Sequence, residues 1–199
     1  MTLSYIRIKN VEKTEAIKKL KESKAKFLGN SLEKQLRFKL DQSEKFQNKN
    51  IDKFKGNSWL TVNFKDGVST IEIDESNFDG NQKDHSALNV DDFLKATKMV
   101  LTMMPKKDYD YIEIKKDIYW LDGVTIVLEE LPALKSTIIF SGGSKKILLE
   151  LKKKLKIKGT LEPNFVFNTA EKYYSMRGVE YDIVKTILKK NLQKSLQSK

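Results

Sequence analysis

The chain contains no cysteine and a single histidine, His85. Disulfides, thiolate-bound metals and cysteine nucleophiles are therefore excluded. A histidine-rich metal centre is excluded too. A Ser-His-Asp triad would rest on one histidine in the polar stretch "DGNQKDHSALN", which reads as a surface loop. Arginine is scarce: Arg7, Arg37 and Arg177 stand against 35 lysines. Long apolar runs are missing as well. None approaches the roughly 18 residues that span a bilayer, and the start, "MTLSYIRIKN", has no signal-peptide core. The expectation is a soluble, cytoplasmic protein with no membrane partner.

What remains for chemistry is carboxylates, lysines, arginines and an oxygen-bound Mg²⁺ or Mn²⁺. With 199 residues, 39% of them hydrophobic and 10% aromatic, the chain reads as one globular domain rather than a disordered one. The net charge of +11 calls for an acidic partner such as a nucleotide, polyphosphate or RNA. Lysine bias of this kind also follows from an A/T-rich genome, so the few arginines carry more information than the many lysines. Arginine is the better bidentate phosphate ligand, and two of the three, Arg7 and Arg37, fall inside strand-like segments.

Period-two alternation marks those segments. "YIRIKN" (5–10) sets Ile6 and Ile8 against Tyr5, Arg7 and Lys9, and "KQLRFKLD" (34–41) sets Leu36, Phe38 and Leu40 against Gln35, Arg37, Lys39 and Asp41. Between them, residues 11–29 show helical spacing and end at Gly29. "WLTVNFKDGVSTIEIDE" (59–75) reads as a hairpin turning at Asp66-Gly67, with Thr61, Asn63, Glu72 and Asp74 on its polar face. Residues 42–58 and 76–88 read as polar loops. Asn89 caps a helix over 90–104 that stops at Pro105. A second hairpin, 109–131, turns at Asp122-Gly123, and "STIIFSGG" is a further strand. Residues 144–159 form an amphipathic helix with a lysine-rich face. The chain from 168 on is helical, with a break at Gly178 and a frayed basic tail over 190–199.

Hairpin-linked strands with separate helices argue an α+β fold. The polar second faces fit either a strongly curved sheet flanked by helices or an antiparallel β-barrel that turns them inward.

The strand texts resemble the CYTH family, which comprises class IV adenylyl cyclases and thiamine triphosphatases within the triphosphate tunnel metalloenzymes. The likeness is best over 108–141, where "KKDIYWLDGVTIVLEELPAL" matches in pattern. It implies a tunnel in which basic side chains grip a triphosphate and glutamates hold Mg²⁺ or Mn²⁺. This chain departs from the catalytic motifs. In the E-x-E-x-K strand, Tyr5 and Arg7 replace the glutamates and only Lys9 matches. Thr61 and Asn63 replace the R-x-R pair, Asp74 a lysine, and Ile139 and Ser141 the late glutamates. Glu129 stands in for an aspartate and Lys116 for an arginine. The resemblance thus implies a divergent, catalytically impaired member.

On that reading the phosphate-binding set is Arg7, Lys9, Arg37, Lys39 and Lys115 or Lys116. The carboxylates for a metal are Glu72, Asp74, Glu113 and Glu129. Alternation from Ile112 and Ile114 turns Lys115 inward, whereas the family pattern turns Lys116 inward; a bulge would reconcile them. The opposing reading pairs these cations and acids with one another in a filled interior. Another alternative leaves the strands as scaffold and places nucleic acid or an acidic protein on the outer helices, through Lys145, Lys146, Lys152, Lys153, Lys154 and Lys156. Tyr173, Tyr174 and Arg177 are candidates for base stacking, and "SGGS" (141–144) for a weak anion site. A metal-dependent triphosphatase or cyclase with rearranged carboxylates is the third reading.

Overall fold

A computed structural model describes residues 4–40, 56–77, 82–105, 108–162, 174 and 177–197. Nine strands and four helices are formed by these residues: β1 (Tyr5–Val11), α1 (Lys13–Glu22), β2 (Lys26–Leu40), β3 (Gly56–Lys65), β4 (Val68–Asn77), β5 (Gln82–Val90), α2 (Phe93–Met103), β6 (Tyr109–Leu121), β7 (Val124–Glu130), β8 (Ser136–Ser141), α3 (Lys145–Lys154), β9 (Thr160–Glu162) and α4 (Tyr181–Gln197). The strand order is β5-β4-β3-β2-β6-β7-β8-β1-β9, and the strand pairs with a described register are antiparallel. The class is α+β. Of the two sheet forms expected, the open one is present, with β5 and β9 as its edges.

The chain divides into two compact units. Residues 1–32 and 114–179 make the first, and residues 33–113 and 180–199 the second.

In the first unit, alternation buries Ile6 and Ile8 on β1, Ile126 and Leu128 on β7, and Ile138 and Phe140 on β8. Onto this face pack Ala16 and Leu20 of α1 and Leu148, Leu151 and Leu155 around α3, in one continuous core. Fully burying each such side chain contributes about 1.5–3 kcal/mol. The opposite face of the same strands is polar. In the second unit Leu36, Phe38 and Val62 are buried, with Phe38 against Tyr109 and Phe64 against Phe93, while α4 buries Tyr181, Val184, Leu188 and Leu192.

Both expected hairpins turn where Asp-Gly stands: Asp66 and Gly67, like Asp122 and Gly123, have positive φ, the conformation a two-residue turn between twisted strands requires. Four local readings are corrected. First, α1 ends at Glu22, not Gly29. Lys24 is left-handed (φ 59°), and the Ala25 N–H reaches back to the Leu20 carbonyl, closing the helix so that β2 starts at Lys26, eight residues before the expected start at Lys34. Second, Asp92 rather than Asn89 caps α2; its Oδ1 accepts from the Leu94 and Lys95 amides at 2.7 and 3.1 Å. Third, residues 82–90, read as loop and helix cap, form β5 and pair with β4. Fourth, α4 runs through Gln197 because Leu192 is buried, so a frayed segment from 190 does not describe it. Most of the expected 42–58 loop lies outside the described residues.

Candidate functional site

The polar face of the first unit is built by the same alternation that builds its core. With Ile6 and Ile8 buried, Arg7 and Lys9 must project from the other side of β1. β1 lies between β8 and β9, and Arg7 is in register with Ile139 on one side and Glu162 on the other. Its guanidinium reaches over β8 to β7 and donates to Glu129 at 2.6 Å, while its Nε stands 3.8 Å from Glu162. Lys116 on β6, the cross-strand partner of Glu129, places its Nζ 3.6 Å from the same carboxylate.

Arg177 completes the cluster. It donates to both oxygens of Glu162 at 3.1 Å and to the Thr137 hydroxyl at 2.9 Å, with arginine and glutamate side chains almost wholly buried. Glu129, Thr137 and Glu162 are all buried residues. The face therefore gathers Arg7, Lys116 and Arg177 around two carboxylates, with Lys9 on the same side of β1 as Arg7.

The β6 register answers the question of Lys115 and Lys116. Pairing with β7 is continuous from Lys115 to Leu121, and Tyr119 and Leu121, not the isoleucines, face the core. Lys116 therefore falls on the polar face with Glu129, and Lys115 is exposed. No bulge is needed.

In the second unit the polar face runs across β2, β3, β4 and β5. Arg37 lies with its guanidinium carbon 4.0 Å from the centroid of the Trp59 ring. Burial pushes the guanidinium below its usual pKa, and Asp74 and Asp110 offset part of that. Lys39, opposite Trp59, is exposed. Gln35 donates to Asn63 at 3.0 Å. Glu72 and Asp74, two residues apart on β4, share a face, and His85 on β5 is in register with Asp74, its Nδ1 2.8 Å from the carboxylate. Carboxylate and imidazole donor atoms of these three lie within 4.8 Å of one another. Thr70 donates to Glu72 at 2.6 Å. Glu113, the other expected metal ligand here, instead accepts from the Tyr111 hydroxyl at 3.2 Å. Burial and that neighbouring carboxylate push the Tyr111 phenol up.

The residues named from the sequence thus separate. Arg7, Lys116 and Glu129 come together in the first unit, with Lys9 on the same side of β1 as Arg7, and Glu72 and Asp74 come together in the second, while Lys39 and Lys115 are exposed. Sequence reasoning missed Glu162, Arg177 and His85 as members of these clusters. Glu162 sits on a three-residue strand too short for alternation to mark. Arg177 was read as a base-stacking residue. His85 was placed in a loop because Asp, Gly and Asn crowd the residues before it.

The CYTH-type metal site does not fit the first unit. The resemblance gives its glutamate positions to Tyr5, Arg7, Ile139 and Ser141, and the carboxylates that are present, Glu129 and Glu162, are each held by cationic side chains. A fixed guanidinium stands where a divalent ion needs ligands. Three candidate ligands do meet at Glu72, Asp74 and His85.

No protein-family model matches the chain, and no curated protein matches it. Solved structures do share its fold. The PH1012 protein from Pyrococcus horikoshii is 16% identical, over 82% of this chain and 96% of its own, with a TM-score of 0.50. A conserved hypothetical protein from Pyrococcus furiosus is 15% identical, over 82% and 97%, with a TM-score of 0.51. HpAC1 from Hippeastrum, a candidate adenylyl cyclase described as having a dominant triphosphatase activity, is 13% identical, over 86% and 94%, with a TM-score of 0.49. At such identities the likeness concerns the fold alone, which this chain shares with the two Pyrococcus proteins.

Proposed function

We propose that this chain is a divergent CYTH-like protein that binds a phosphate-rich ligand, such as a triphosphate, a nucleotide or an RNA 5′ end, on the basic face of its first unit and without the family's metal-dependent turnover. One observation carries the reading: three cations, Arg7, Lys116 and Arg177, close on two carboxylates, and the resemblance gives the position of Arg7 to a metal-binding glutamate. Phosphate oxygens would compete with Glu129 for Arg7 and Lys116, and Lys9, half-buried on the same face, would add a third contact. Arg177 is committed to Glu162 and Thr137 and serves to hold that carboxylate in place. Lys115, exposed on β6, is outside this grip.

Thermal unfolding with tripolyphosphate or ATP, with and without Mn²⁺, tests the proposal when released phosphate is assayed in the same samples. Tripolyphosphate at about 100 times its dissociation constant adds about 2.7 kcal/mol. Stabilisation without phosphate release, lost in Arg7→Met, is the expected outcome. Mn²⁺-dependent release, or stabilisation that survives Arg7→Met, overturns it.

A second reading has its own observation. Glu72, Asp74 and His85 offer two carboxylates and an imidazole on paired strands, a donor set suited to Mn²⁺ or another first-row divalent ion. An ion there would supply Lewis-acid chemistry to rearranged carboxylates, the route to a surviving metal-dependent activity.

A further inference from the structure

The net charge of the chain is not spread over its surface. Residues 13–26, which comprise α1 and the turn after it, and residues 145–158, α3 and the turn after it, hold thirteen lysines against three glutamates. These 28 residues carry ten of the eleven net positive charges; the other 171 are almost neutral. A genome-wide preference for lysine would enrich every exposed face alike, so it does not account for this concentration.

The two helices belong to one surface. Both belong to the core cluster of the first unit, through Ala16 and Leu20 on α1 and through Leu148, Leu151 and Leu155 around α3. Lys19 bridges them, donating to the Lys156 carbonyl at 2.5 Å. Their apolar sides are thus already used, and their outward sides present Lys18, Lys21, Lys146 and Lys153, all exposed. Some lysines here are tied: Lys13 to Glu130 and Asp117, Lys19 to Glu15, and Lys154 to Asp122. Lys21, Lys24, Lys146, Lys153 and Lys156 make no ion pair among the described residues.

We infer that the outward side of α1 and α3 is a docking surface for single-stranded nucleic acid, held through its phosphate backbone. The chemistry discriminates among polyanionic partners. A membrane surface would need a row of apolar side chains to insert, and of the large apolar side chains on the two helices only Ile147 is exposed among the described residues, the others lying in or against the core. Protein interfaces are poor in lysine and rest on aromatic and arginine anchors, and the three arginines of this chain all lie elsewhere. A row of mobile ammonium groups suits a flexible line of phosphates that requires point charges and no fixed geometry. A single strand is favoured over a duplex by Phe27, which follows the lysine-rich turn. Half exposed, with its ring 5.2 Å from that of Tyr119, it offers a base a surface to stack on three residues past Lys24.

Fluorescence anisotropy with a labelled single-stranded oligouridylate, over about 50 to 200 mM salt, tests this. With some five lysines engaged, log K should fall against log salt with a slope of about −3 to −4. The triple variant Lys21→Glu, Lys146→Glu, Lys153→Glu alters only exposed, unpaired side chains. It should retain the wild-type melting temperature and the response to tripolyphosphate while binding the oligonucleotide at least tenfold more weakly and with a shallower slope. Phe27→Ala should weaken it further without changing the slope. Absence of binding, or binding that the triple variant leaves unchanged, overturns the inference. So does equal affinity for a blunt duplex, or for polyglutamate, which would mark the surface as a site for an acidic protein.

Discussion

Arg7 and Glu129 meet at 2.6 Å although 122 residues separate them in the chain, and β8 runs between the strands that carry them. The glutamate side chain is 7% exposed and the arginine 24%. The pair links β1 to β7 across the intervening β8 on the polar face of the first unit.

Removing one partner should therefore be costly. Arg7→Met leaves Glu129 with Lys116 alone, at 3.6 Å, and should cost about 3 kcal/mol in denaturant unfolding, the lower end for breaking a buried pair. Arg7→Met combined with Glu129→Leu should recover much of that loss, because the buried carboxylate that Arg7 compensates is removed with it. A double variant no more stable than the single one would mean that the pair's worth lies in packing.

Gly159 governs how β9, and with it Glu162, lies along β1. Its φ of +144° disfavours any side chain, and a Cβ there would stand 2.6 Å from the Lys9 carbonyl oxygen and 2.7 Å from Ile8 Cγ2. Neither neighbour can yield, one being backbone and the other part of the core. Gly159→Ala should lower stability by about 2 kcal/mol or more, and amide exchange should speed up first at Thr160–Glu162. Wild-type stability in this variant would show that β9 can shift without loss.

Acid should loosen the attachment of α4. Burial raises the pKa of Asp108, but hydrogen bonds from Lys185 and Lys189 outweigh it and hold the carboxyl at about 2, below its ordinary 3.8. A carboxyl depressed on folding contributes stability that is complete above the unfolded value and is lost as pH falls through the folded one. The stability gap between the native chain and Asp108→Asn should accordingly be constant above about pH 5 and close towards pH 2. The carboxylate is largely exposed, so screening keeps the gap small, and added salt should shrink it further. A gap that persists at pH 2 would exclude a charge-based contact.

The Glu72, Asp74 and His85 cluster should respond to divalent ions if it is a metal site. Mn²⁺ should raise the melting temperature of the native protein, and Asp74→Asn or His85→Gln should each abolish that rise. Glu129→Gln should leave it unchanged, since its carboxylate is held by Arg7 and Lys116. A Mn²⁺ response that Asp74→Asn retains would count against the site.

Local order in the sequence determined much of this fold. Alternation in residues 5–10 decided which side of β1 carries Arg7 and Lys9, because successive strand side chains must point to opposite faces. The Asp66-Gly67 and Asp122-Gly123 pairs decided where the chain reverses, because few residues tolerate the positive φ of such turns. The missing cysteines and lone histidine narrowed the chemistry before any geometry was known. Tertiary structure decided what these residues meet. Nothing near Arg7 in the chain announces Glu129 or Glu162, since long-range partners are set by strand order and register. His85 became a strand residue only by pairing with Asp74, in a segment whose own propensities argue for a loop. Lys115 and Lys116 are neighbours of one kind, and the pleat imposed by pairing with β7 was needed to put one beside Glu129 and leave the other in water.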